Sequence, residues 1–91
     1  MIKDEVLSRL RAFVEENFLY MRPDFELALD DSLMGNGIVD SMGVMEMIQF
    51  LEDEFGISID DADITEENIG TLNAIASYVI VHSPASTLER A

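Results

Sequence analysis

The chain contains no cysteine, which excludes a disulfide framework and a thiolate metal site. It has a single histidine, His82, and no G-x-S-x-G segment, so a serine hydrolase would lack both a placed base and a nucleophile elbow. No apolar run reaches the ~18 residues that span a bilayer. The first residues, Met1-Ile2-Lys3-Asp4-Glu5, are charged where a secretion signal would be apolar. The expectation is a cytoplasmic protein. Positive charge is the largest deficit. Lys3, Arg9, Arg11 and Arg22 lie near the start and Arg90 near the end, with no Lys or Arg between Pro23 and Glu89. The formal net charge is −14, from 5 basic against 19 acidic residues. A field of this sign repels nucleic acid and anionic membranes, so neither is expected as a partner. It attracts basic protein surfaces and speeds their encounter.

What remains is enough for one small core. With 91 residues, 48% of them hydrophobic, the chain suits a single globular domain. From Lys3 to about Asn17, the apolar residues Val6, Leu7, Leu10, Phe13 and Val14 recur at three- and four-residue steps, which predicts a helix with one apolar face. Residues from about Leu19 to Val39 show no sustained period and carry Pro23, Gly35 and Gly37. They read as a long loop whose pins are Phe25, Leu27, Leu33 and Ile38. A second helix is predicted over Ser41–Phe55, with Asp40 as N-cap and Gly56 as its stop. Ile57-Ser58-Ile59 reads as extended loop, since three residues without a partner make a poor strand. Thr65 caps one helical turn over Glu66–Ile69. Thr71 opens a last helix carrying Leu72, Ile75, Ala76, Val79 and Ile80. The fold class is therefore all-α: a small four-helix bundle with a short third helix and a long loop between helices one and two. Residues 1–82 are expected to form the domain, residues 83–91 a flexible C-terminal tail, and the protein to be a monomer.

The second helix has two sides. Val44, Met47, Ile48, Leu51 and Phe55 share one stripe, the expected core face. Met42, Met45 and Gln49 fall away from it, beside Glu46, Glu52 and Asp53. Methionine adapts to several surfaces. Placed among carboxylates, this side is expected to dock basic partners. Ser41 opens the helix. With one remote histidine it is poorly equipped as a catalyst, and an exposed hydroxyl at a helix start is well placed to be modified. Gly43, in the first turn, costs roughly 1 kcal/mol of helix propensity against alanine and is expected to loosen that end. The acidic run Asp60-Asp61-Ala62-Asp63 fails as a calcium loop: counted from Asp61, the sixth position is Glu66 and the twelfth Leu72, where glycine and glutamate are needed. No metal site is expected.

Gly37-Ile38-Val39-Asp40-Ser41-Met42, then Val44, Met47, Leu51, and Glu52-Asp53-Glu54-Phe55-Gly56-Ile57-Ser58-Ile59, resembles the acyl carrier and peptidyl carrier protein family. That family's pattern is G-x-x-D-S-L followed by a helix ending L-E-x-x-F-x-I-x-I. The likeness runs from about Val6 to Val81, with Met42 in place of the usual leucine. It implies a four-helix bundle with a short third helix. It implies that Ser41 receives phosphopantetheine from coenzyme A through a magnesium-dependent phosphopantetheinyl transferase, that Asp40 helps engage that transferase, and that the arm's thiol carries acyl or aminoacyl groups as thioesters. A chain without cysteine must import such a thiol. The resemblance implies a carrier that is no enzyme itself. Its implied partners are the transferase, an acyl or aminoacyl ligase, and downstream acyl-processing enzymes with basic docking surfaces. The alternative is an unmodified acidic helical adaptor that binds a basic protein.

Overall fold

Four helices and one 3-10 turn follow one another in a computed structural model that describes residues 2–22 and 24–83. Helix α1 spans Lys3–Phe18, α2 Ser41–Phe55, α3 Glu66–Ile69 and α4 Leu72–His82. The helical period of the apolar residues decides which sides turn inward. Val6, Leu10 and Val14 of α1 are fully buried and pack α1 along α4, where Leu72, Ile75, Ala76 and Val79 are equally covered. Helix α3, a single turn, leans on α4 and contributes Ile69. Helix α2 completes the core with Met47, Ile48, Leu51 and Phe55.

Local chemistry sets the ends. Gly56 takes φ 67°, a left-handed conformation that closes α2 and that a side chain would strain. Thr65 Oγ1 accepts the Asn68 N–H at 3.2 Å, and Thr71 Oγ1 accepts the Ala74 N–H at 3.0 Å, so both caps foreseen for α3 and α4 form.

The long first connection is held in place by its own side chains. Leu19, Leu27, Leu33, Ile38 and Val39 are buried and Phe25 is half-buried. Backbone bonds then stitch it to distant elements: Leu33 N–H to Gly70 C=O at 2.8 Å and Asn73 N–H to Leu29 C=O at 3.0 Å. The Arg11 guanidinium donates to the Leu27 carbonyl at 2.8 Å.

The second connection holds two features that the sequence did not disclose. Asp61–Asp63 forms a 3-10 turn. The Tyr78 hydroxyl, on α4, donates to the Asp63 carboxylate at 2.8 Å. Residues 57–59 belong to no helix or strand, in keeping with a loop. Ser83, assigned to the tail by sequence, is buried at 2% exposure; the rest of that expected tail, 84–91, lies outside the described residues.

Candidate functional site

The turn before α2 sorts side chains inward and outward. Gly37 sits at φ 70°, with its N–H donating to Met34 C=O at 3.0 Å, and Ile38 N–H returns to Leu33 C=O at 2.9 Å. That reversal sends Ile38 and Val39 into the core and leaves Asp40 and Ser41 exposed. Asp40 is the N-cap: its carboxylate accepts the Gly43 N–H at 2.7 Å, and its carbonyl accepts the Val44 N–H at 2.9 Å. Ser41 is the first helical residue. Within the described residues its hydroxyl has no hydrogen-bond partner, and no protein acceptor meets the backbone N–H groups of Ser41 and Met42.

Gly43 has a packing role that its helix propensity did not suggest. It is buried. A Cβ there would lie 2.9 Å from a Phe18 ring carbon, 3.1 Å from Val39 and 3.2 Å from the Asp40 carboxylate. The missing side chain lets Phe18, at the end of α1, close over the turn that presents Ser41.

The two sides of α2 fall largely where periodicity put them. Met47, Ile48, Leu51 and Phe55 are buried, and Val44 is half-buried against the core. Met42 is 76% and Met45 59% exposed. Glu46, Gln49 and Asp53 are exposed beside them, with the Gln49 amide donating to Asp53 at 3.1 Å. Glu52 differs. It is half-buried, and its carboxylate accepts the Ile59 N–H at 3.0 Å, fastening the second connection to α2. Phe50 was missed. It stacks on Phe13 of α1 with centroids 4.1 Å apart and planes 12° from parallel. Its place off the core stripe gave no sign of this.

An apolar cavity of about 110 Å³ opens beside the first turn of α2, between Leu33, Met34, Val39, Val44, Met47 and Ile69. Sequence reading did not find it. The signal was spread over three elements that only folding brings together.

The donor set at the start of α2 suits a phosphodiester. An exposed hydroxyl can take the ester bond, and N–H groups without acceptors favour the anionic oxygens. Comparison with known proteins gives the family. Residues 8–79 match the family described as "Phosphopantetheine attachment site". A D-alanyl carrier protein of Streptococcus suis (strain 05ZYH33) is 32% identical over 79 residues, which is 87% of this chain and 91% of that protein. A D-alanyl carrier protein of Abiotrophia defectiva is 31% identical over 78 residues, 86% of this chain and 91% of that protein. An acyl carrier protein of Exiguobacterium sibiricum is 32% identical over 79 residues, 87% of this chain and 95% of that protein. Carrier proteins of this kind bear their intermediates on covalently attached phosphopantetheine. The chain belongs to this phosphopantetheine-attachment family of acyl and peptidyl carrier proteins.

Proposed function

We propose that Ser41 Oγ is the attachment point of the arm, and that this chain is a discrete carrier of acyl or aminoacyl groups with no catalysis of its own. One observation carries the reading: an exposed hydroxyl, without a hydrogen-bond partner among the described residues, at the first residue of a helix whose start is held by Asp40. The bound arm supplies the thiol that the sequence lacks. The chain's own residues do the rest. Asp40, by capping, holds the turn in one geometry for a phosphopantetheinyl transferase and offers it a carboxylate. The N–H groups of Ser41 and Met42, which meet no acceptor within the described residues, would be open to the ester phosphate. Met42, Met45, Glu46, Gln49 and Asp53 line one exposed side of α2, where apolar contact and carboxylates meet basic surfaces of the transferase, the ligase and later enzymes. Glu52, part of the same acidic side, spends one carboxylate oxygen on Ile59 and lends that side shape as well as charge.

Intact mass after incubation with coenzyme A, magnesium and a broad-specificity transferase tests this. Wild type should gain one phosphopantetheine and Ser41→Ala none. A gain by Ser41→Ala sinks the assignment. No gain by wild type with a competent transferase returns the chain to the unmodified adaptor.

A further inference from the structure

Helices α1 and α2 leave an open groove of about 430 Å³ between them. Phe13 and Phe50 line it together with Asn17, Glu46, Asp53 and Glu54. The stacked rings form an apolar floor that stays only half-buried. The rim is acidic. Counted along α2, Glu46 lies four residues before Phe50, Asp53 three after it and Glu54 four after it. These offsets put an acid about one turn to either side of the aromatic ring, since neighbours on a helix face recur at three and four residues. The chain's own Arg9 shows what such a rim selects. Its guanidinium bridges Glu5 and Glu54, at 2.6 and 3.1 Å.

We propose that this groove takes a basic amphipathic helix of a partner enzyme. An apolar side chain of that helix rests on Phe50 and Phe13, and Lys or Arg one turn to either side reaches Glu46 and Asp53. Apolar anchors at helical spacing laid into a groove are a recurring mode of peptide recognition, and the long stems of Lys and Arg cover apolar surface while their heads stay with the carboxylates. Charge complementarity names the occupant: the chain has 5 basic residues against 19 acidic, and its Arg9 and Arg11 are already bonded within the fold, so a second copy would meet the rim mainly with like charge. The inference rests on the docking role proposed for α2 and extends it onto α1. Phe50 sits nine residues beyond Ser41, about 14 Å along the axis at 1.5 Å per residue. A partner gripping here leaves the Ser41 end clear.

A fluorescein-labelled helical peptide with lysine four residues before a central leucine and arginine three after it is the probe. A peptide of the same composition with those three positions scrambled is the control. Anisotropy should show the patterned peptide binding at least tenfold tighter. Amide shift changes in the 15N-labelled protein should centre on Asn17, Glu46, Phe50 and Asp53. Asn17→Lys, which puts a tethered cation in the groove without altering the ring stack, should weaken binding about tenfold, whereas Met42→Ala should leave it within twofold. Equal binding of both peptides, or shifts centred on Met42 and Met45, overturns the groove. So does concentration-dependent dimerisation that Asn17→Lys abolishes, since the occupant would then be a second copy. Phosphopantetheine loading of wild type and Ser41→Ala reads the Ser41 assignment separately, because binding of the free peptide in the groove does not require the arm.

Discussion

The two connections that flank α2 are fastened in different proportions, the first chiefly by apolar burial and the second chiefly by polar ties. The first, residues 19–40, is held by buried apolar side chains, Leu19, Leu27, Leu33, Ile38 and Val39. The second, residues 56–65, relies largely on polar ties. Glu52 holds the Ile59 N–H, Tyr78 holds Asp63, and the Asn68 amide donates to the Asp63 carbonyl at 3.0 Å. Each suits its place. The first connection must deliver Asp40 and Ser41 in a fixed geometry, and close-packed apolar contacts give little under load. The second carries Ile64 along the edge of the apolar cavity beside α2. A tie of one or two hydrogen bonds can open locally at a small fraction of global stability.

The sharpest break in the comparison is Leu33→Ala. Leu33 is 1% exposed, and its backbone bonds to Gly70, so it joins the first connection to the third helix. Truncation should cost roughly 2–5 kcal/mol, as for other buried leucines. Chemical denaturation measures it. A loss under 1 kcal/mol would mean that the first connection is not held by its apolar pins.

Glu52→Ala tests the polar side. It strips the acceptor from a part-buried Ile59 N–H, and about 1–2 kcal/mol should be lost. Glu52→Gln keeps an acceptor oxygen and should recover most of that. If neither variant moves the denaturation midpoint, Glu52 belongs wholly to the docking side.

Gly43→Ala asks how far the first connection's packing reaches. Alanine gains roughly 1 kcal/mol of helix propensity. Its Cβ, however, needs space now held at 2.9 Å by the Phe18 ring, and overpacking costs about 1–3 kcal/mol. The melting temperature should fall slightly. A rise would show that Phe18 yields freely and that propensity governs this turn.

The same division explains what was legible in the sequence. Apolar pins announce themselves, because a leucine in a loop has few reasons to be there except burial. Leu27, Leu33 and Ile38 were identified on that ground, and the bounds of α2 and α4 followed from Asp40, Gly56 and Thr71. Carboxylates do not announce themselves. Among 19 acidic residues, nothing in the residue type separates Glu52 and Asp63, which tie the fold, from Glu46, which faces solvent. The sequence partners of those ties lie seven and fifteen residues away, beyond any local period. Phe50 and the groove escaped for the same reason: the partner that gives Phe50 its role is on another helix.

The smallest effect concerns the Tyr78 hydroxyl. Tyr78→Phe should cost about 1 kcal/mol at neutral pH, with faster amide exchange confined to the stretch from Asp61 to Gly70 as the local signature. The same group has a pH signature of known sign. Burial of the ring, the hydrogen bond to Asp63 and the negative charges of Asp63 and Asp60 push its pKa up to about 12, from an ordinary value of 10.0. The folded state therefore favours the neutral phenol. That contribution is whole below pH 10 and is lost as pH rises from there through about 12. In a Tyr20→Phe background, where Tyr78 is the one tyrosine left, phenolate absorbance near 295 nm should appear at about pH 12 while the protein stays folded, and stability should decline across the same range. Tyr78→Phe should show a shallower alkaline decline than its parent. If the phenolate instead appears near pH 10 with the fold intact, the tie to Asp63 is absent in solution, and the second connection is held by Glu52, Asn68 and the buried Ile57 without it.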